Sequence, residues 1–290
     1  MAKRRPASTH GICVVDKPAG VTSHDVVGML RRRFGERQVG HGGTLDPDAT
    51  GVLVVAVGKA TRLLRFVEAT RKQYAGEVVL GTATSTLDAA GEVTATADMS
   101  ATTLDEVRHV VADLLTGEIE QVPPMVSAIK VDGRRLHELA REGVEVERAP
   151  RPVTIHRFDV LGWAEPGVLA IDVECSKGTY IRTLADDLGR LLGGAAHLRN
   201  LRRTAVGSFT LADAGPADVC ELLPVATAVA TLPTATVDDA TAAMVANGRV
   251  LDAWDDAAGS WAVFDPTGDL LAVYERVAGG RAKPAVVLPR

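Results

Sequence analysis

A chain of 290 residues has room for one large domain, or for a large and a small one. At 46% hydrophobic and 24% charged it has an ordinary globular composition, and no apolar run is long enough to span a membrane. The net charge of −5 argues against a polyanionic partner only until its distribution is read.

Between residues 31 and 72 nine Lys/Arg face four Asp/Glu, and between 176 and 203 six face two. From 204 to the end the balance reverses, five against eleven. Basic character is therefore local, and a local patch is what meets phosphates. Cys13, Cys175 and Cys220 are odd in number, far apart and without a CxxC pair. That speaks against a disulfide framework or zinc site, suits a reducing cytoplasm, and makes each a buried thiol.

The start, MAKRRPASTHG, is basic and lacks the apolar stretch of a secretory signal, so residues 1–9 read as a disordered tail. HGICVVDK (10–17) reads as a strand stopped by Pro18-Ala19-Gly20. Thr22-Ser23-His24-Asp25 offers helix caps, and Val26, Val27, Leu30 and Phe34 fall on one face at helical spacing. Arg31, Arg32, Arg33 and Arg37 gather at the C-terminal end, where cations favour the helix dipole and are also placed to touch RNA.

Residues 40–58, GHGGTLDPDATGVLVVAVG, are the most informative stretch. A glycine-rich turn carrying His41 leads into a polar knot around Asp46, and a β-branched run then reads as a strand buried on both faces. Asp-Pro beside glycines is ordinary turn punctuation. An aspartate held at a tight turn just before a buried strand is also how one carboxylate is fixed in one geometry.

Residues 59–66 read as a short helix with a basic face, and Tyr74 to Leu80 as a strand. GTATSTLDAAG (81–91) is polar and turn-rich. Thr103 and Glu106 form a capping box for a helix that Gly117 stops. QVPPMVSAIK (121–130) holds two prolines and reads as an edge or loop. Residues 121–150 form a partly helical excursion carrying Lys130, Arg134 and Arg135, with five acids that bring its net charge close to zero. Residues 151–163 and 168–175 read as strands, and a helix opens after Gly178 with Ile181, Leu184, Leu188 and Leu191 on one side. A glycine before a helix N-terminus is a natural anion seat. After about Leu232 a helix (238–247) and strands at 260–265, 270–276 and 284–288 surround Trp254, Trp261 and Tyr274. No internal repeat or low-complexity tract appears.

Three blocks carry a resemblance. GHGGTLDPDATGVL, CSKGTYIRTLADDLG (175–189) and AHLRNLRRTAVG (196–207) resemble, in order and spacing, the motifs of the TruB family of tRNA pseudouridine synthases. The PPMVSAIKVDGRRLHELAR segment resembles the family's reach over the T-arm of tRNA, the 81–91 segment its Asp-x-x-Gly, and the C-terminus its small PUA-like β domain. The resemblance implies an α+β fold: a mixed, mainly antiparallel sheet flanked by helices. It places the catalytic domain at 10–232, with 121–150 as RNA-contacting excursion, and the PUA-like domain at 233–290. Because this C-terminal part is acidic, a structural cap is as good a reading of it as an RNA contact.

The resemblance further implies an isomerase that converts the T-loop uridine (position 55) of tRNA to pseudouridine. Breaking N1–C1′, turning the base and rejoining through C5 needs no cofactor, metal or external energy. It does need a carboxylate close to sugar and base, and Asp46 is the match. Asp48 is the rival carboxylate, and because the family varies at that position it reads as exposed. Attack at C1′ and removal of a 2′ proton both stay open. Arg182 matches the arginine that pairs with that carboxylate, and a guanidinium would keep it ionised against desolvation. Tyr74, in a K-x-Y context, would stack on the uracil. His41 would fill the gap left by the flipped base or brace the loop. Tyr180 and Leu201 would line the pocket, and Lys130 and Arg202 would hold phosphates. The expected partner is the tRNA T-arm, with no membrane, no obligate protein partner, and a cytoplasmic monomer. Two other readings compete: an RNA-folding protein without chemistry, and a nucleosidase, which would need a second carboxylate beside Asp46 to activate water.

Overall fold

The computed structural model describes residues 8–127, 129–131, 133–255 and 259–289. In chain order its elements are β1 (Gly11–Lys17), α1 (Ser23–Phe34), β2 (Val39–His41), β3 (Thr50–Val57), a 3₁₀ turn running into α2 (Leu64–Ala69), β4 (Lys72–Leu80), β5 (Thr82–Thr84) and β6 (Val93–Thr96). Next come α3 (Leu104–Leu114), β7 (Gly117–Gln121), β8 (Lys130–Val131), β9 (Arg134–Arg135), α4 (Leu136–Arg141), β10 (Arg151–Glu165), β11 (Val168–Cys175), α5 (Ile181–Leu191) and β12 (Ala196–Val206). The remainder is β13 (Phe209–Thr210), β14 (Thr234–Thr236), α6 (Asp239–Ala246), β15 (Leu251–Asp252), β16 (Ser260–Phe264), β17 (Leu270–Val277) and β18 (Arg281–Val287). This is the expected α+β architecture with mainly antiparallel pairing. No helix among the described residues is long and apolar enough to cross a membrane.

The chain forms two compact units: Met1–Pro47 with Gly51–Thr70 and Val206–Arg290, and Asp48–Thr50 with Arg71–Ala205. In the first, β1 and β3 pair antiparallel from Gly11↔Val57 to Lys17↔Gly51, and β2 adds to β3 from Val39↔Val57 to His41↔Val55. Every residue from Val52 to Val57 is fully buried, which explains an unbroken β-branched run with no alternation. Helix α1 starts at Thr22 with a reciprocal capping box to Asp25 and buries Val26, Val27 and Leu30. The expected tail meets the folded chain at Ser8 and Thr9, whose backbone N–H groups donate to Glu36 at 2.6 and 3.1 Å.

The C-terminal strands form a sheet ordered β14-β16-β17-β18-β15, with α6 capped by Asp238, whose side chain accepts from Thr241 N–H at 2.8 Å. One face of this sheet holds its own cluster around fully buried Trp261 and Tyr274, with Trp254 edge-on to Tyr274 at 5.5 Å. The other face is continuous with the core of the first unit: Ala262, Val273, Val286 and Leu288 pack with Ile12, Val14, Val52, Val54 and Ala56. The acidic C-terminal part is thus built into the hydrophobic core of this unit.

The second unit is a sheet ordered β12-β4-β11-β10-β7. Its strands β4 and β11 pair from Val168↔Val79 to Cys175↔Lys72, and β7 pairs with β10 from Gly117↔Ile155 to Gln121↔Arg151. Helix α3 begins at the expected Thr103–Glu106 capping box. Cys13, Cys175 and Cys220 are buried free thiols, and burial pushes Cys175 up to about 11.

Candidate active site

In the first unit the loop between β2 and β3 carries Asp46. It leaves β2 at His41, which sits half-buried opposite Val55. Gly42 comes next because α2 passes close by: a Cβ there would lie 2.9 Å from Val67 Cγ1. Asp46 is half-buried between two fixed neighbours. On one side Leu45 is buried and tied to Ser23, whose hydroxyl accepts from Leu45 N–H at 2.9 Å and donates to Leu45 O at 3.1 Å. On the other, Pro47 O accepts from Lys17 Nζ at 2.8 Å and from Gly20 N–H at 3.0 Å.

Lys17 is fully buried, and its ammonium also donates to Pro18 O at 2.9 Å and Val21 O at 2.7 Å. A buried ammonium that gives three hydrogen bonds to backbone carbonyls locks their relative positions. The peptide on either side of Asp46 is therefore held by the end of β1 and the start of α1. Asp48, two residues on, is exposed as expected.

The second unit carries Tyr74, Tyr180, Arg182, Leu201, Arg202 and Lys130. Arg182, in the first turn of α5, is only 4% exposed. Its Nη1 donates to Thr86 O and its Nη2 to Val126 O, both at 2.8 Å, and its Nε lies 3.5 Å from Asp88 Oδ2. Asp88 belongs to the Asp-x-x-Gly of the 81–91 segment. Its Oδ1 accepts from Thr86 Oγ1 at 2.5 Å and from Ala90 N–H at 3.1 Å. The segment is stapled to β12 by Leu198 N–H to Leu87 O and Ala89 N–H to Leu198 O, both 3.0 Å. Gly91 is required because a Cβ there would lie 2.7 Å from Thr86 N. Buried, planar and bonded on several sides, the Arg182 guanidinium has one orientation.

Tyr74 is 8% exposed on β4, opposite Val173 of β11. Leu201 of β12 lies over Gly76, two residues on and hence on the same face of β4 as Tyr74: a Cβ at Gly76 would be 3.6 Å from Leu201 Cδ1. Tyr180 is half-buried at the N-cap of α5. Arg202 is half-buried and donates to Thr50 Oγ1 at 3.3 Å, so one of its N–H groups is engaged within the fold. Lys130 starts β8, and its side chain lies outside the described residues.

Much of the basic patch is also engaged. Arg31 donates to Val39 O, Arg33 to Ala217 O and Cys220 O, Lys59 to Pro289 O and Arg62 to Val287 O. Arg65 pairs with Glu275, Arg71 with Glu174, and Arg199 with Glu77 and Glu165. Arg32 and Arg37 are exposed. Counting cations along the sequence thus overstates what is left to meet phosphates.

Three models of one family together cover residues 31–289. "TruB family pseudouridylate synthase (N terminal domain)" matches residues 31–181, "tRNA pseudouridylate synthase B C-terminal domain" 182–233, and "tRNA Pseudouridine synthase II, C terminal" 232–289. The chain belongs to the TruB family. It is accordingly a pseudouridine synthase, an isomerase. Among curated relatives, the tRNA pseudouridine synthase B of Rhodococcus jostii is 46% identical over 99% of this chain and 97% of its own. That of Symbiobacterium thermophilum is 51% identical over 82% of each chain. Solved structures share the TruB-type fold. A chain of an H/ACA RNP bound to a substrate RNA aligns with a TM-score of 0.70 at 24% identity, covering 97% of this chain and 85% of its own. One in a Cbf5-Nop10-Gar1 complex aligns at 0.69 and 25%, covering 96% and 84%.

The sequence does not single out Lys17 and Ser23, which hold the Asp46 loop in the first unit, or Asp88, which faces Arg182 in the second. Thr22 and Ser23 both read as cap candidates; Thr22 takes that role, and Ser23 bonds Leu45. Lys17 reads as a strand end. Only its place before Pro-x-Gly hints that a loop folds back over it.

Proposed function

We propose that this TruB-family chain isomerises the T-loop uridine of tRNA to pseudouridine, with Asp46 as the essential carboxylate. The tRNA substrate follows from relatives named tRNA pseudouridine synthase B over nearly the whole chain. The observation that carries the role of Asp46 is its loop, in which both flanking residues are tied by Ser23, Lys17 and Gly20. A carboxylate that must meet one face of a ribose gains from such pre-organisation.

The target uridine is stacked in its loop, so it is flipped out at a cost of a few kcal/mol. His41, at the mouth of the loop that carries Asp46, braces the vacated stack. Tyr74 stacks on the uracil and Leu201 closes the same face. Arg182, its guanidinium already oriented, pairs with Asp46 and keeps it ionised as the pocket dries. Tyr180 completes the wall. Arg202 and Lys130 hold phosphates. Asp46 then attacks C1′ or removes the 2′ proton, and the base turns and rejoins through C5. The enzyme works as a cytoplasmic monomer without cofactor.

The test is Asp46→Asn on a T-arm hairpin. Conversion of uridine is expected to vanish while hairpin binding survives. Conversion at the wild-type rate would remove Asp46 from the chemistry.

A further inference from the structure

Gln121 closes β7, and its side chain is 2% exposed. Both ends of its amide bind one residue. Tyr180 N–H donates to Gln121 Oε1 at 2.7 Å, and Gln121 Nε2 donates to Tyr180 O at 3.1 Å. Only one orientation of the amide satisfies an N–H and a carbonyl together, so the network fixes it. Tyr180 is the N-cap of α5, extended at φ −104° and ψ 108°, with no side-chain cap of its own. Its carbonyl also accepts from Leu184 N–H at 3.1 Å, the first turn of the helix. The Gln121 amide thus acts as a short stretch of neighbouring strand, docked on the residue where strand-like chain becomes helix.

The same segment grips α5 a second time. Val126, five residues on, offers its carbonyl to Arg182 Nη2 at 2.8 Å. Pro123 and Pro124 lie between and restrict the backbone that joins the two grips. Residues 121–126 are the root of the excursion that reads as RNA-contacting. One end of that root sets the Tyr180 backbone, and the other end meets the Arg182 guanidinium.

We infer that Gln121 is a positioning residue for pseudouridine formation, fixing Tyr180 and, through the first turn of α5, Arg182. This rests on the reading that Tyr180 and Arg182 serve the catalytic site. Gln121 acts through the Tyr180 backbone and does not touch the substrate. A purely structural role would satisfy two buried backbone groups and nothing more; the two roles differ in what a variant loses.

The experiment uses the full chain and a T-arm hairpin, with single-turnover conversion at saturating enzyme, hairpin Kd and Tm read in parallel. Gln121→Met keeps the volume and removes both hydrogen bonds. Conversion is expected to slow by about 10- to 100-fold with Kd within about threefold of wild type. The Gln121→Met, Arg182→Lys double variant is expected to be no slower than Arg182→Lys alone, because the first change acts through the residue the second alters. Wild-type conversion by Gln121→Met, or effects that multiply in the double variant, would overturn the inference. Should Gln121→Met fail to fold, Gln121→Glu decides. It keeps the acceptor for Tyr180 N–H but faces Tyr180 O with an oxygen, so slowing of at least about tenfold is expected, and an unchanged rate overturns the inference. A wild-type chain that leaves uridine unconverted would instead sink the functional reading itself, which separates the two failures.

Discussion

The Ser23 hydroxyl takes the N–H of Leu45 and gives its own proton to the Leu45 carbonyl, at 2.9 and 3.1 Å, inside a pocket where both residues are buried. One hydroxyl therefore satisfies both backbone groups of the residue that precedes Asp46. In Ser23→Ala the N–H and the carbonyl are left buried without this partner, at a cost of about 1–3 kcal/mol. Because Thr22 and not Ser23 caps α1, the helix keeps its box. Ser23→Ala is expected to lower both Tm and single-turnover conversion, the latter by about tenfold as the Asp46 loop loosens. Thr22→Ala, which removes the cap, should lower Tm with conversion unchanged. Equal effects of the two variants on conversion would show that Ser23 serves only the helix.

Asp88 presents a different kind of restraint, a carboxylate 3.5 Å from the Arg182 Nε and itself held by Thr86 and Ala90. Asp88→Asn keeps an acceptor for Thr86 and Ala90 and removes the charge that faces the guanidinium. The two backbone carbonyls on Arg182 remain, so the fold should survive with Tm nearly unchanged. Conversion is expected to fall by about 10- to 100-fold, since a misdirected arginine no longer serves a developing charge. Asp88→Ala, which also unpicks the 84–91 turn, should cost Tm as well. A conversion rate untouched in Asp88→Asn would mean that the carbonyls alone orient Arg182.

What was legible in the sequence follows from range. The helix start within residues 22–25, the capping box at Thr103, the helix after Asp238 and the strands around Trp261 and Tyr274 depend on residues a few positions apart, and they stand where the pattern puts them. Motif blocks also named the candidate site residues. Strand β12 is not legible as a strand. It reads AHLRNLRRTAV, and Asn200, with a left-handed φ of 52°, breaks its alternation. Lys17, Ser23, Asp88 and Gln121 act across 22 to 94 residues of sequence, and nothing local marks a polar side chain as bonded to a distant partner. The arginines misled in the same way: charge is visible in sequence, but its partner is not.

That last point can be measured. Arg62 Nη1 donates to Val287 O at 2.6 Å and Arg65 pairs with Glu275, whereas Arg32 and Arg37 are exposed. Arg62→Ala should lower Tm by a few degrees and leave the salt dependence of hairpin binding alone. Arg65 and Glu275 are both well exposed, so Arg65→Ala should change stability little. If Arg32 and Arg37 meet phosphates, replacing both by Ala should weaken binding and reduce the slope of log K against log salt by about 1 for each phosphate no longer neutralised. An unchanged slope in that double variant would place the RNA elsewhere.

The C-terminal strands bear on stability more than their acidic composition implies. Val273 and Val286 share one core with Val14, Val52 and Val54, and β3, which contains Val52 and Val54, begins just after the Asp46 loop. A separately folded appendage would melt on its own and leave the rest intact. A shared core must melt with what it covers. Val273 is fully buried, and Val273→Ala should cost about 2 kcal/mol of stability through lost burial and the cavity left behind. Calorimetry should then show the transition that reports on β1 and β3 moving together with the one that reports on Trp261. Ending the chain at Leu232 would strip this apolar surface from β1 and β3, and that truncated form is expected to aggregate or to lose its cooperative transition. A truncated protein that melts cooperatively at the full-length temperature would show that the two parts fold independently, whatever packing joins them.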